Sequence, residues 1–217
     1  MMATMTQGGS LASNALRYLA LGDSYTIGEG VAESARWPVV LAERLSQQGI
    51  AVQPPQIIAR TGWTTDELDD GIRQAAPTGE FALVSLLIGV NNQYRGRSVE
   101  EYRTQFAALL WQAIGFAGNR PQRVLVVSIP DWGITPFARS QQRDRQQVAD
   151  EIDAFNQAAG EVCAARGVAF VDITAISRDG GDNVAMLVDD GLHPSAAMYA
   201  RWCEQVLPVA RQALSSP

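Results

Sequence analysis

Phe81-Ala82-Leu83-Val84-Ser85-Leu86-Leu87-Ile88 is apolar at every position but Ser85 and is closed by Gly89. A strand with one face in water alternates apolar and polar residues, so an unbroken run of this kind reads as a strand buried on both faces, the habit of parallel sheets covered by helices. Four more runs of strand length, at residues 16–21, 56–59, 124–129 and 168–173, are separated from it and from each other by segments of helical periodicity. That alternation predicts an α/β fold in three layers, α/β/α, around a five-stranded parallel sheet. The run at 56–59 follows Pro54-Pro55, and proline has no N–H to give a ladder, so this strand belongs at an edge. Right-handed crossovers then make 2-1-3-4-5, the flavodoxin-like order, the simplest arrangement.

Helix starts are legible between the strands. Thr64-Thr65-Asp66-Glu67 and Ser98-Val99-Glu100-Glu101 fit the capping box, in which a hydroxyl and a glutamate satisfy free backbone N–H groups reciprocally. Residues 143–166 carry Val148, Ile152, Phe155, Ala159, Val162 and Cys163 at three- and four-residue steps, one apolar stripe. A last helix from about Ser195 contains Pro208, which is expected to kink or fray its final turns. Residues 1–15, rich in Ser, Thr, Gly and Ala, read as a flexible leader, and 16–217 as one domain without internal repeats.

The 217 residues suffice for a sizeable core without disulfide or metal staples. A net charge of −6 with scattered basic residues argues against nucleic acid or an anionic membrane surface as partner. No apolar run approaches the roughly 18 to 20 residues of a membrane span, and the leader has neither a cationic start nor an apolar segment, so cytoplasmic residence is expected. Cys163 and Cys203 fall at apolar helical positions and read as inert core thiols. Neither a metal nor a cofactor is expected, and the oligomeric state is not legible.

Chemistry gathers at the carboxyl ends of strands in an open α/β sheet. Ser24 follows the first strand in Gly22-Asp23-Ser24-Tyr25, Gly62 follows the second and Asn91 the third, and in the order 2-1-3 these strands are neighbours. The chain's one histidine, His193, lies in Asp190-Gly191-Leu192-His193-Pro194, after the fifth strand and a long irregular segment, 174–192. Three strand spacings of about 4.8 Å separate first and fifth strands, whereas six or seven extended residues span about 20 Å, so the imidazole can reach Ser24. Serine must lose its proton as it attacks, which makes neutral His193 the general base. Asp190 is the first candidate to hold the other imidazole nitrogen, with Asp189 second. The N–H groups of Ser24 and Gly62 and the Asn91 amide are the candidate oxyanion donors. Each signal alone has a plain alternative: Asn91-Asn92 as a turn, Gly62 as a helix-entry glycine, Asp190-Gly191 as a turn before an exposed histidine. Their chain order and common sheet edge favour catalysis.

Those blocks resemble the SGNH hydrolases, the GDSL-type esterase and lipase family. Leu21-Gly22-Asp23-Ser24-Tyr25 is similar to its first block, Thr61-Gly62-Trp63-Thr64-Thr65 to its second, Ile88-Gly89-Val90-Asn91-Asn92 to its third and Asp190-Gly191-Leu192-His193-Pro194 to its fifth. The resemblance implies Ser24 as nucleophile, Gly62 and Asn91 as oxyanion donors, His193 as base and Asp190 as its partner. The family often carries aspartate where Asn92 stands. Thr26 replaces the glycine of a Gly-x-Ser-x-Gly elbow, which disfavours the ordinary α/β-hydrolase fold.

Trp63, Asn92, Tyr94, Trp132, Ile134, Phe137, Met186 and Val188, from strand-end loops, are candidates to line a pocket for a small or medium acyl chain. The resulting expectation is a serine esterase acting on short- to medium-chain carboxylic esters through an acyl-enzyme. An acyltransferase, lysophospholipase or thioesterase using the same triad is the neighbouring alternative. A different class, a flavodoxin-like module, would use the loop of Ser24, Thr26, Gly28 and Gly30 to cradle phosphate or FMN, although it lacks a phosphate-loop lysine and has no use for Asp190 and His193.

Overall fold

In the computed structural model, which describes residues 15–215, five parallel strands form one sheet in the order β2-β1-β3-β4-β5. The strands are β1 (Tyr18–Gly22), β2 (Gln56–Ala59), β3 (Leu83–Leu87), β4 (Val124–Val127) and β5 (Ala169–Val171). Every residue of β1, β3 and β4 is buried, as continuous apolar runs require, while β2 is partly exposed at its edge. The expected leader lies almost wholly outside the described residues.

β3, β4 and β5 end before their apolar runs do, because those runs continue into the turns that leave the sheet, whereas β2 matches its run and β1 extends to Gly22. Between β1 and β3, the Tyr18 hydroxyl meets Ser85 Oγ at 2.8 Å, so the one polar residue of the third run is satisfied inside the core.

Helices α2 (Trp37–Gln47) and α9 (Ala196–Ser215) pack together on one face. The other face holds α3 (Thr65–Ala75), α5 (Val99–Phe116) and α7 (Arg145–Arg166). Both expected helix starts are present. Glu67 accepts the Thr64 N–H at 2.9 Å, and Ser98 Oγ accepts the Glu101 N–H at 3.1 Å. Asp144 caps α7 by accepting the Gln147 N–H at 2.8 Å. Pro208 does not end α9, which continues to Ser215. The segment expected to be irregular before His193 contains α8 (Thr174–Gly180), started by Asp172 accepting the Thr174 N–H at 2.8 Å. A helix of seven residues in which only Ala175 and Ile176 are apolar has too few such positions to show a period.

Cys163 and Cys203 are buried and free, and burial pushes both thiols up to about 12. They belong to the core and are unreactive at neutral pH.

Candidate active site

The sheet edge formed by the carboxyl ends of β1, β2 and β3 opens into a cavity of about 200 Å³. Ser24, Gly62, Asn91 and His193 all line it. Ser24 begins α1 (Ser24–Ile27), directly after β1 and the capping residue Asp23. The turn is tight. A Cβ at Gly22 would overlap the Leu87 carbonyl oxygen and the Thr26 side chain, so only glycine lets β1 enter the turn so close to β3.

Asp23 is fully buried. Its Oδ1 accepts the Tyr25 N–H at 3.0 Å, and among the described residues Oδ2 has no partner. Burial pushes this carboxyl up to about 7, against the pull of the Tyr25 N–H. The folded chain thus holds a proton here that the unfolded chain gives up near an ordinary carboxylate value. Stability from Asp23 is greatest below about pH 4 and declines as pH rises to about 7. Asp23→Asn keeps the cap and removes the titration. Its melting temperature relative to wild type is expected to rise between pH 4 and pH 8 in thermal denaturation series. A constant difference would show that Asp23 is ionised throughout.

Residues 186–195 fold back on themselves to present His193. The Val188 N–H donates to the His193 carbonyl at 2.9 Å, and the Ser195 N–H to the Met186 carbonyl at 2.9 Å. At the tip, Asp190 Oδ1 accepts the N–H groups of Leu192 (2.8 Å) and His193 (2.9 Å), while Oδ2 lies 2.6 Å from His193 Nδ1. Partial burial would raise Asp190, but the His193 ring and the two backbone N–H groups outweigh it and hold the carboxyl below its ordinary value. With Nδ1 engaged, Nε2 is the imidazole nitrogen left for chemistry.

Asn91 lies on α4 (Val90–Tyr94), after β3, and its Nδ2 donates to the Trp63 carbonyl at 2.9 Å. An amide nitrogen carries two protons, so one fixes the side chain and the other remains to donate. Gly62 has φ +87°, a left-handed conformation that suits glycine, and its carbonyl accepts from the Arg95 guanidinium at 2.6 Å. Thr61, also in the lining, bonds Glu29 through its hydroxyl. The β2 loop is therefore held from both sides.

Tyr94, Trp132 and Phe137, the last on α6 (Pro136–Ser140), line the cavity as expected. Trp132 is almost fully buried, and its Nε1 donates to Gln93 Oε1 at 2.8 Å. Gln93 in turn donates to Glu151 at 2.6 Å, so the indole plane is set by a hydrogen-bonded relay. Tyr25, Thr61, Val90 and Leu192 join the lining without having been expected there. Each neighbours a site residue or is one turn away, and no residue type marks such positions in advance.

Trp63, Asn92 and Met186 do not line the cavity, contrary to expectation. The Trp63 ring covers Gly71 of α3, filling the space a Cβ there would need. Met186 packs beside Gly180 and the core, as Val188 packs on Gly30; Ile134 is buried outside the lining. Asn92 is fully buried, its Oδ1 accepting the Thr65 N–H at 3.1 Å and its Nδ2 donating to Thr65 Oγ1 at 2.7 Å. It ties the third block to the start of α3. Asn92→Ala leaves that N–H unsatisfied and is expected to cost about 1 to 3 kcal/mol in chemical denaturation. Asn92→Asp, which can still accept from Thr65, is expected to keep activity within about tenfold; a larger loss would give position 92 a direct part in turnover.

A phosphate cradle after β1 is not supported. Helix α1 has four residues, and Asp23 already occupies the Tyr25 N–H that an anion would use.

The sheet order is that of the SGNH hydrolase fold, and at its carboxyl edge a strand-end serine and a carboxylate-held imidazole line one cavity. The sequence model of the GDSL-like Lipase/Acylhydrolase family matches residues 20–201; the chain belongs to that family and is an ester-bond hydrolase. Among solved structures it resembles TesA (22% identity, TM-score 0.71, covering 91% of this chain and 99% of that one). A lipase/acylhydrolase from Enterococcus faecalis is similar as well (19% identity, TM-score 0.67, 89% and 94% covered). So is the esterase EstA from Pseudoalteromonas sp. (16% identity, TM-score 0.66, 92% and 99% covered). Likenesses at these identities concern the fold. No curated protein matches the chain. No described helix is long and apolar enough to cross a membrane.

Proposed function

We propose that this hydrolase is a serine esterase that cleaves short- to medium-chain carboxylic esters through an acyl-enzyme, with Ser24 as nucleophile, His193 as base and Asp190 as the group that orients it. The observation that carries this reading is the 2.6 Å contact of Asp190 with His193 Nδ1, on an imidazole lining the same cavity as Ser24.

Ser24 Oγ attacks the ester carbonyl as its proton passes to His193 Nε2. Charge gathers on the carbonyl oxygen, where the Ser24 N–H, the Gly62 N–H and the second Asn91 Nδ2 proton are the proposed donors. Collapse breaks the bond to the alkoxy oxygen, which leaves as the alcohol with the imidazolium proton. Water then attacks the acyl-enzyme, giving its proton to His193, and the acid departs with Ser24 reprotonated. The Asp190 carboxylate stabilises the imidazolium in both halves. A cavity of about 200 Å³ walled by Tyr94, Trp132, Phe137 and Leu192 suits a compact acyl group.

Labelling intact protein with a fluorophosphonate and locating the adduct by mass spectrometry tests the assignment. Modification at Ser24 is expected; an adduct elsewhere, or none in protein that turns over p-nitrophenyl butyrate, would overturn it.

A further inference from the structure

Helix α4 grips the loop after β2 at two consecutive carbonyls. Asn91 Nδ2 donates to the Trp63 carbonyl at 2.9 Å, and Arg95, the residue that ends α4, donates from Nη2 to the Gly62 carbonyl at 2.6 Å. Residues four apart share one face of a helix, so both prongs leave the same side of α4. The Arg95 N–H donates to the Asn91 carbonyl at 3.0 Å, which closes the turn between them. Arg95 Nη1 lies 3.3 Å from both carboxylate oxygens of Glu67, and Glu67 Oε2 accepts the Thr64 N–H at 2.9 Å. The guanidinium is thus held by the start of α3 while it holds Gly62.

Packing does little to fix this glycine. Its φ of +87° is one that few other residues adopt, and among the described residues a Cβ there would meet, beyond its chain neighbours, only Arg95 Nη2 at 3.9 Å. The bond from Thr61 to Glu29 and that from the Trp63 N–H to the Arg60 carbonyl at 3.2 Å hold the flanks of the loop. Gly62 nevertheless lines the catalytic cavity, and its N–H is a proposed oxyanion donor beside the Asn91 amide. Such a donor acts fully only at hydrogen-bond distance from the developing charge, and a misplacement of about 1 Å can cost about a hundredfold in rate.

We propose that Arg95 is a positioning residue of the esterase: by fixing the Gly62 carbonyl it keeps the Gly62 N–H in register with the Asn91 amide, so that both donors meet one oxyanion. The inference rests on the esterase reading above and adds to it a residue outside the cavity lining, acting through Gly62. Arginine suits the role because its planar group can hold a carbonyl with one nitrogen and a carboxylate with another.

The test is steady-state hydrolysis of p-nitrophenyl butyrate by Arg95→Met, joined by inhibition with an alkyl trifluoromethyl ketone, whose adduct with Ser24 carries an oxyanion. Arg95 is exposed, so its replacement leaves the core intact. In Arg95→Met, kcat is expected to fall about tenfold or more with KM within about twofold, short of the hundred- to thousandfold typical of losing a donor outright. The ketone should bind more weakly by a similar factor. Arg95→Lys, which keeps a cationic donor, should recover part of both. Arg97→Met removes a guanidinium bonded to Asp66 and Glu101, away from the loop carbonyls, and should change neither. Equal kcat in wild type and Arg95→Met, a change in KM alone, or an equal loss in Arg97→Met would overturn the proposal. If turnover does not depend on Ser24, it is the esterase reading that fails, and the backbone amide resonance of Gly62 still decides about Arg95. Exchange broadening of that resonance in Arg95→Met supports the role; an unchanged line refutes it.

Discussion

Ser24→Ala is expected to lower kcat for p-nitrophenyl butyrate by at least about a thousandfold, with the folded structure intact. Removing the hydroxyl removes the covalent route, and what remains is whatever the oxyanion donors achieve with water as nucleophile. Ser24 is nearly buried and its side chain is small, so loss of one oxygen leaves α1 and its Asp23 cap in place. Stopped assays long enough to detect the residual rate, together with a thermal melt close to that of wild type, check both halves. Turnover within tenfold of wild type would remove Ser24 from the mechanism.

Asp190→Asn is expected to lower kcat by about 10⁴. Asparagine Oδ1 can still accept the Leu192 and His193 N–H groups, so the loop tip keeps its shape. Its amide nitrogen, however, would donate to His193 Nδ1, forcing the ring proton onto Nε2 and leaving no lone pair to take the Ser24 proton. In wild type, the carboxyl held below its ordinary value stays ionised as the pH falls, until that lowered value is reached. Its share of stability is accordingly present above the ordinary carboxylate range and lost as pH drops through the lowered one. Rate measurements on Asp190→Asn and Asp189→Asn separate the two aspartates. A loss confined to the second would move the orienting role to Asp189.

Why so much of the site could be read in advance follows from the architecture. In a parallel sheet the carboxyl ends of strands all lie at one edge, so residues following apolar runs share a neighbourhood whatever their separation in sequence. Ser24, Gly62 and Asn91 were marked in that way, and a chain with a single histidine leaves no choice of imidazole. Pocket residues were harder, because an aromatic in a strand-end loop can face the cavity or the core. Trp63 and Trp132 stand at equivalent places in the sequence pattern. One covers Gly71 on α3; the other is turned to the cavity by Gln93.

From the sequence alone came the elements, their parallel order and the set of groups able to do acyl chemistry, since these depend on local periodicity, on proline at an edge strand and on residue type. Only the folded chain decided that Asn92 braces Thr65, that Asn91 keeps one proton free, that Asp23 Oδ2 lies in the interior without a partner among the described residues and that Arg143 stacks on Trp132. Each of these is a matter of where a side chain points and what meets it there. Such contacts join residues tens of positions apart, and side-chain packing between elements settles them at distances of a few ångströms, below what any pattern along the chain can specify.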